Sequence, residues 1–459
     1  MVKMKPDMNR RQFLAASAAA TLHAQSRRPN IIVILTDDHG SGDLSCYGSA
    51  EIRTPHIESI ARDGVLFTNW YANAAMCAPS RAGLMTGRHP IRAGVPSNGP
   101  HLPASQKTIA TLLKPHGYKT AAIGKWHLGV ADSHSPLDHG FDSFYGFHAG
   151  CVDFYSHRYY WGDPKTVNFH DLYRNRAEIF EDGQYLTERI TAEAKQFIRQ
   201  ANAQPFFLYL AYNAPHYPMH APQKYIDRFK HLPLERRIYA AMIAAVDDGI
   251  GEIRALLQDL QLTSNTLIVF AADNGATTEP RAGLNGQPAT AGYNRGFRGF
   301  KFSLFDGGVH VPAVMAWPGR IPAGRTTSQI AAHYDLAPTL LAAAGLPEMP
   351  ADHFDGISLW PAIAKGEVIN RPPLHWQNGP QLAIRKGQWK LTLNGYEANG
   401  GPDSRKPKTG DDANFLANLE QDPGEKRNLR GEFPAVAEAL EKELKIWLEA
   451  VQKSAPKTD

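Results

Sequence analysis

The run Asn30-Ile31-Ile32-Val33-Ile34-Leu35-Thr36 ends in the pair Asp37-Asp38. A continuous β-branched run without polar alternation suits a parallel strand covered on both faces. Such a strand needs helices over it, so this one stretch commits the chain to an α/β sheet. The two carboxylates then stand beyond the strand's carboxyl end, where open α/β sheets gather ligands.

The same grammar repeats downstream. Thr54 caps a helix reaching Ile60, ahead of Val65-Leu66-Phe67. Lys107 to His116 reads as an amphipathic helix closed by Gly117, and Thr120 to Gly124 as a strand running into Lys125-Trp126-His127. Gln184 to Gln200 is helical, and Phe206 to Tyr212 is a strand ending at Asn213-Ala214-Pro215-His216. Glu235 to Leu260 is one long helix, weakened at Gly249 and Gly251. Leu267 to Ala272 is a strand ending in Asp273-Asn274-Gly275, and Ala313 to Ala316 is another. Alternation of this kind predicts a mostly parallel sheet wrapped by helices. Polar chemistry recurs at four strand ends, which predicts a shared site at one edge of the sheet. After Gly345 prolines crowd the chain, and from about residue 365 a smaller antiparallel-sheet domain is expected. It contains a hairpin (Gln381–Arg385 with Trp389–Leu393), an exposed loop over Gly395–Asp412, and a closing amphipathic helix over Phe433–Val451. The division is thus 1–24, 25–364 and 365–459.

The first of these segments reads as an export signal. Lys3, Lys5, Arg10 and Arg11 precede a short apolar stretch, Phe13 to Leu22, with Ala24 at a possible cleavage site. That stretch is shorter than the roughly 20 apolar residues a membrane span needs. Asn9-Arg10-Arg11-Gln12-Phe13-Leu14 resembles a twin-arginine motif, with an ordinary secretory signal as the alternative. Both place the mature protein in the periplasm or outside the cell, and no other stretch suits a stable membrane span. A net charge of +4 over 459 residues, with no long run of one sign, does not point to nucleic acid. Cys46, Cys77 and Cys151 cannot form a disulfide framework. Cys46 and Cys151 could pair, or remain two free buried thiols.

Cys77 lies in Ala75-Met76-Cys77-Ala78-Pro79-Ser80-Arg81-Ala82-Gly83-Leu84-Met85-Thr86-Gly87-Arg88. Pro79 suits a first helical position, Ser80 a cap region and Gly87 a C-terminal stop. Cys77 is therefore expected just ahead of a helix N-terminus, where the dipole favours negative charge. Alone it reads as a reactive or merely buried thiol. Asp37, Asp38, Asp273 and Asn274 are all oxygen donors, of the kind that hold Ca²⁺ or, less readily, Mg²⁺. Each pair alone also fits a solvated turn or a helix cap.

Cys77-x-Pro79-Ser80-Arg81 followed by Thr86-Gly87-Arg88 resembles the signature of type I, formylglycine-dependent sulfatases. Gly124-Lys125-Trp126-His127-Leu128-Gly129 is similar to a second signature of that family. Pro215-His216-Tyr217-Pro218 resembles its Pro-His-x-Pro turn, and Gly299 to Pro312 its Lys-bearing loop. Leu416 to Leu429 resembles its C-terminal run, so matches extend from residue 30 to 429. The resemblance implies the alkaline-phosphatase-like α/β fold. It implies that a maturation enzyme converts Cys77 to formylglycine, whose hydrate attacks sulfur. Arg81 would orient residue 77, and Lys125 and Lys301 would hold the sulfate. His127 would serve as base for sulfate release, and His216 would protonate the leaving alcohol. The metal, usually calcium, would be held by Asp37, Asp38, residue 77, Asp273 and Asn274. Two positions depart: Asp306 stands where Glu is usual, and His310, where Arg is usual, withdraws a fixed positive charge from that turn.

The aromatic segment Gly140 to His157 is a packed loop or a substrate loop. It is similar to that of arylsulfatase B-type enzymes, the N-acetylgalactosamine-4-sulfatases, which marks Asp153, His157 and Arg158 for substrate contact. The expectation is an exported, calcium-dependent sulfatase acting on a sulfated sugar of a polysaccharide or glycosaminoglycan. The alternatives are a phosphate or phosphonate monoesterase of the same fold, and a non-catalytic sulfoglycan-binding protein.

Overall fold

A computed structural model describes residues 28–130, 133–160, 167–201, 204–350, 352–401 and 403–456. The expected export segment, Lys3 to Ala24, lies outside the described residues. Among those residues no helix is long and apolar enough to cross a membrane.

The strands, in chain order, are β1 (Asn30–Thr36), β2 (Val65–Phe67), β3 (Trp70–Tyr71), β4 (Lys119–Lys125), β5 (Ser143–Phe147), β6 (Tyr173–Arg174), β7 (Ala177–Glu178) and β8 (Phe206–Ala211). They continue with β9 (Thr266–Ala272), β10 (Ala313–Ala316), β11 (Arg325–Thr327), β12 (Ala331–Ala332), β13 (Leu374–Asn378), β14 (Gln381–Lys386), β15 (Trp389–Leu393) and β16 (Asn414–Asn418). The large sheet has the order β11-β2-β10-β9-β1-β8-β4-β5-β6-β7. β1 is buried along its whole length between two parallel neighbours, β8 and β9. Ile32 and Ile34 face one core, with the helices Leu186–Ala201 and Leu234–Asp259. Ile31, Val33 and Leu35 face the other, with residues of the Cys77–Thr86 and Leu336–Ala343 helices. The β-branched run is therefore apolar because neither face meets water; each such side chain contributes about 1.5–3 kcal/mol by burial.

The outer strands depart from the parallel pattern. β10 runs antiparallel to both β9 and β2. The chain leaves β9 and enters β10 at the same edge, with no crossover helix between them, so it can only return antiparallel. The expected Lys107–His116 helix is shorter. Thr108 caps Ile109–Leu113, accepting from Thr111 N at 3.2 Å, and a 3₁₀ turn follows over Lys114–His116. Pro115 has no N–H to extend the α pattern. The long helix runs unbroken over Leu234–Asp259. Gly249 is there for closeness, since a Cβ would fall 2.4 Å from Thr191 Oγ1 of the adjacent helix.

β13 to β16 form a four-stranded antiparallel sheet. One face packs Ile384, Leu391 and Leu416 against Leu440 and Leu444 of the helix Pro434–Lys453. The other packs Trp376 and Ala383 against Tyr71, Leu304 and Val309 of the large unit. The Gly395–Asp412 loop is only partly exposed. Tyr396 and Ala398 are buried, and Ala398 O accepts a hydrogen bond from Thr278 Oγ1.

A buried ionic bridge fastens the small sheet to the loop before β10. Lys390 Nζ, on β15, lies 2.6 Å from Asp306 Oδ1 and 3.2 Å from Glu425 Oε1. Tyr71 OH donates to Asp306 Oδ2 at 2.8 Å. His310 meets two acceptors, Asp306 Oδ2 at 3.1 Å and Thr68 O at 2.9 Å. The positive charge expected to be missing at His310 is thus supplied across the interface by Lys390. Lys390→Met leaves two buried carboxylates without their cation and should destabilise the protein by about 3–5 kcal/mol. Urea unfolding checks this as a lower midpoint with unchanged slope; a loss within experimental error would mean that the bridge fastens nothing.

Candidate active site

Four neighbouring parallel strands deliver the polar residues to one edge. Leu35 lies level with Ala211 and Ala271, and Ala211 with Gly124. The residues that follow are therefore brought together: Asp37 and Asp38 after β1, His216 after β8, Lys125 and His127 at the end of β4, and Asp273 and Asn274 after β9. The Cys77–Thr86 helix points its N-terminus at this edge. It starts two residues earlier than Pro79, so Cys77 sits in the first turn. Pro79 is tolerated there because first-turn N–H groups lack intrahelical partners. Gly87 closes the helix at φ 68°.

Cys77 Sγ lies 3.3 Å from Asp37 Oδ1 and 3.8 Å from Asp38 Oδ1. Lys125 Nζ is 2.6 Å from Asp37 Oδ2, and Lys301 Nζ is 2.9 Å from Asp38 Oδ2. Arg81 grips Asp273 Oδ2 with Nε at 3.0 Å and Nη2 at 2.7 Å, with Asp37 Oδ1 at 3.6 Å. All six charged side chains are buried. Asp38 and His127 hold left-handed backbone conformations, at φ 57° and 55°. Non-glycine residues pay about 1–3 kcal/mol for such positions, which recur at functional sites.

Electrostatics sorts these groups. Burial raises Asp37, but Lys125, Arg81 and Lys301 outweigh it and hold the carboxyl below its ordinary value. Burial keeps Asp38 and Asp273 above theirs. Burial, with Asp273 and Asp37 nearby, pushes the Cys77 thiol well up. Of the two readings open for this thiol, reactive or merely buried, the electrostatics favour the second, because loss of water and two carboxylates exceed the partial charge of a helix end. Burial pushes His127 well down, helped by Lys125, and takes His216 to about 3. Both imidazoles are therefore neutral near pH 7. His216 Nδ1 lies 2.7 Å from Tyr217 O, which assigns the ring proton to Nδ1 and leaves Nε2 as acceptor. Gly150 admits the His127 ring: a Cβ there would fall 2.5 Å from its Nε2.

The carboxylates of Asp37 and Asp38, with the amide oxygen of Asn274, fit a hard divalent cation. Asp37, Asp38, Cys77 and His216 offer ligand atoms within 4.8 Å of one another. Asn274 Nδ2 donates to Asp38 Oδ1 at 2.7 Å, while its Oδ1 is buried without a partner among the described residues. A cation accepting that oxygen would relieve both the orphaned amide and the crowded carboxylates.

A cavity of about 500 Å³ opens over Cys77, His127, His216 and Lys301. Its wall includes Glu279, His101, Tyr159, Phe169 and Phe302; Phe302 lies in the Lys-bearing loop already singled out, while the other four carried no signal in the sequence. Asp153, His157 and Arg158 are not brought to this cavity. Val152 pairs with Tyr159, so they form the turn between. Asp153 Oδ1 accepts from Tyr155 N at 2.9 Å and Ser156 N at 2.8 Å, and His157 Nε2 lies 3.0 Å from Gln184 O. Arg158 is exposed and donates to Asn168 O at 3.3 Å. From this stretch it is His148, Ala149, Gly150, Cys151 and Tyr159 that reach the cavity. All three cysteines are free; Cys151 Sγ donates to Tyr217 O at 3.1 Å, and Cys46 is only partly buried.

A family model described as Sulfatase matches residues 29–346. The N-acetylgalactosamine-6-sulfatase of Canis lupus familiaris is 35% identical over 401 residues, 83% of this chain and 74% of that protein. Human (Homo sapiens) steryl-sulfatase is 32% identical over 421 residues, 75% of this chain and 71% of that protein. The crystal structure of Ps i-CgsB in complex with k-i-k-neocarrahexaose superposes with a TM-score of 0.82 at 32% identity, covering 94% of this chain and 95% of that one. The PsFucS1 sulfatase from Pseudoalteromonas sp. gives 0.79 at 27% identity, over 99% and 96%.

If the oxygen cluster holds a cation, calcium at 100 times its dissociation constant should stabilise the protein by about 2.7 kcal/mol. Calorimetry should show a thermal midpoint that climbs with calcium, a smaller climb with magnesium, and most of the climb lost in Asn274→Ala. An unmoved midpoint would assign the cluster no metal.

Proposed function

Because the chain belongs to the sulfatase family, we propose that it hydrolyses the sulfate monoester of a sulfated sugar, using the oxidised side chain of residue 77. The observation that carries this reading is the placement of Cys77. It lies at a helix N-terminus, 3.3 Å from Asp37, on the floor of a cavity shared with His127, His216 and Lys301. Oxidised to formylglycine by a maturation enzyme and hydrated, residue 77 would carry two hydroxyls on one carbon. One would displace the alcohol from sulfur, and deprotonation of the other would let the sulfate go.

The chain's own residues then divide the remaining work. Lys125 and Lys301, both buried, would neutralise the sulfuryl oxygens as charge builds on them. Arg81 fixes Asp273 and Asp37, and through them the edge on which residue 77 rests. His216 would meet the leaving alcohol through Nε2, because Nδ1 is engaged by Tyr217 O; Nε2 must first take up the proton it gives, and Lys301 Nζ stands 3.4 Å from it. His127, neutral and facing the cavity, takes the proton of the second hydroxyl. Calcium, held by Asp37, Asp38, Asp273, Asn274 and residue 77, would draw charge from the sulfate oxygens. The cavity's Tyr159–Phe169 pair, stacked at 5.0 Å, suits a sugar face. The reading includes export through the Arg10-Arg11 segment, and a division into a catalytic unit over 25–364 and a smaller one over 365–459.

The test is sulfate release by protein matured with a formylglycine-generating partner, with calcium present. The substrates are 4-sulfated and 6-sulfated N-acetylgalactosamine, an aryl sulfate and an aryl phosphate. Release from a sulfated sugar, abolished in Cys77→Ala, is expected; preference between the two sugars assigns the position. Faster turnover of the phosphate, or full activity in Cys77→Ala, would overturn the reading.

A further inference from the structure

The rim of the cavity carries a donor that the sulfate chemistry leaves unused. Between the Cys77–Thr86 helix and Thr108 the chain passes over the site, where Asn98, Gly99, Pro100 and His101 line the cavity. Three contacts hold this segment. Asn98 Oδ1 accepts from Ala78 N at 3.0 Å. His101 stacks on His134 with ring centroids 4.9 Å apart. Leu102 N donates to Leu128 O at 2.8 Å. Ala78 directly follows residue 77, so Asn98 stands at the shoulder of that residue.

The contact with Ala78 fixes which end of the amide faces where. A backbone N–H can only donate, so the amide oxygen is turned to the helix and the NH₂ group away from it. That group offers two donors and has no partner among the described residues. Depth separates its role from that of the lysines. Lys125 and Lys301 are buried, whereas Asn98 is exposed at the rim. An ester whose sulfate lies between the lysines therefore brings its alcohol part to the level of Asn98.

We infer that Asn98 is a substrate-binding residue, donating from Nδ2 to a hydroxyl oxygen of the sugar ring that carries the sulfate ester. The inference rests on the sulfatase reading and deepens it, because it assigns recognition of the alcohol half to a residue outside the sulfate-holding cluster. A neutral amide suits a neutral hydroxyl, while the buried cations are left to the sulfate. The same side chain caps the helix that bears residue 77 through Oδ1, so it ties the position of the sugar to that of the nucleophile.

The experiment measures kcat/KM of the matured protein, with calcium, on 4-sulfated and 6-sulfated N-acetylgalactosamine and on an aryl sulfate that carries no hydroxyl. The readout is the ratio of the better sugar to the aryl ester. Asn98→Ala should lower this ratio roughly 3- to 10-fold, the range of one neutral hydrogen bond, chiefly by raising KM for the sugar. Loss of the helix cap acts on both substrates and cancels in the ratio. Asn98→Asp keeps an acceptor for Ala78 N, so its thermal midpoint should match that of the wild type. Its added charge repels both sulfates alike, and its ratio should stay as low as that of Asn98→Ala. A ratio unmoved in Asn98→Ala, or restored in Asn98→Asp, would make Asn98 a helix cap alone and overturn the inference while leaving the sulfatase reading intact. Turnover of the aryl sulfate with neither sugar cleaved overturns the sugar substrate, and this inference with it. No sulfate released from any of the three overturns the sulfatase reading itself.

Discussion

Three carboxylates and three cations, all buried, meet at the carboxyl edge of the large sheet, and the fold around them is what makes the meeting tolerable. Removing a charge from water costs several kcal/mol, and only close, well-oriented partners offset it. Asp37, Asp38 and Asp273 have such partners because β1 and β9 run parallel and level. Arg81 reaches them because the Cys77–Thr86 helix begins at that edge, and Lys301 because a loop folds back over it. Displacing any one strand by a residue would turn its polar end away and leave a charge stranded. The apolar interior of the sheet and the polar cluster at its end are thus two consequences of one register.

The sequence was most legible where geometry is local. A β-branched run followed by two carboxylates gives a strand and its exit, and repeating the pattern four times gives the edge. The C-terminal hairpin was visible in its alternation and its Gly387 turn. What could not be read were decisions made by packing at a distance. Gly249 reads as a weak point in a helix until Thr191 is seen against it. β10 reads as one more strand, but its direction depends on a return path that composition does not encode. Asp153, His157 and Arg158 were marked by the resemblance of their segment to arylsulfatase B-type enzymes, whereas the pairing of Val152 with Tyr159 makes them the turn. An Asp followed three residues later by Ser carried that signal, because Asp side chains commonly cap such turns.

The C-terminal sheet is more than an appendage. Lys390 supplies charge to a turn that lacks it at His310, and Arg385 reaches Tyr71 across the same interface. The loop carrying Lys301 is therefore held at one end by the large sheet and near the other by the small one. Such double anchoring suits a side chain that must keep its position beside Asp38 while substrate comes and goes. It also explains why residues about 90 positions later, such as Lys390, bear on a site that the first 300 define.

The electrostatics of Cys77 close the argument about chemistry. A buried thiol beside two carboxylates is a poor thiolate, and Lys125 and Lys301 pull the other way without outweighing them. The same surroundings suit a neutral oxygen nucleophile: cations for the oxyanion that develops, neutral imidazoles to accept protons, and an oxygen cluster fit for a hard metal. A site so arranged gains little from sulfur and much from replacing it with oxygen on the same carbon. On the proposed reading, the oxidation of Cys77 is the step that brings this residue into agreement with everything built around it.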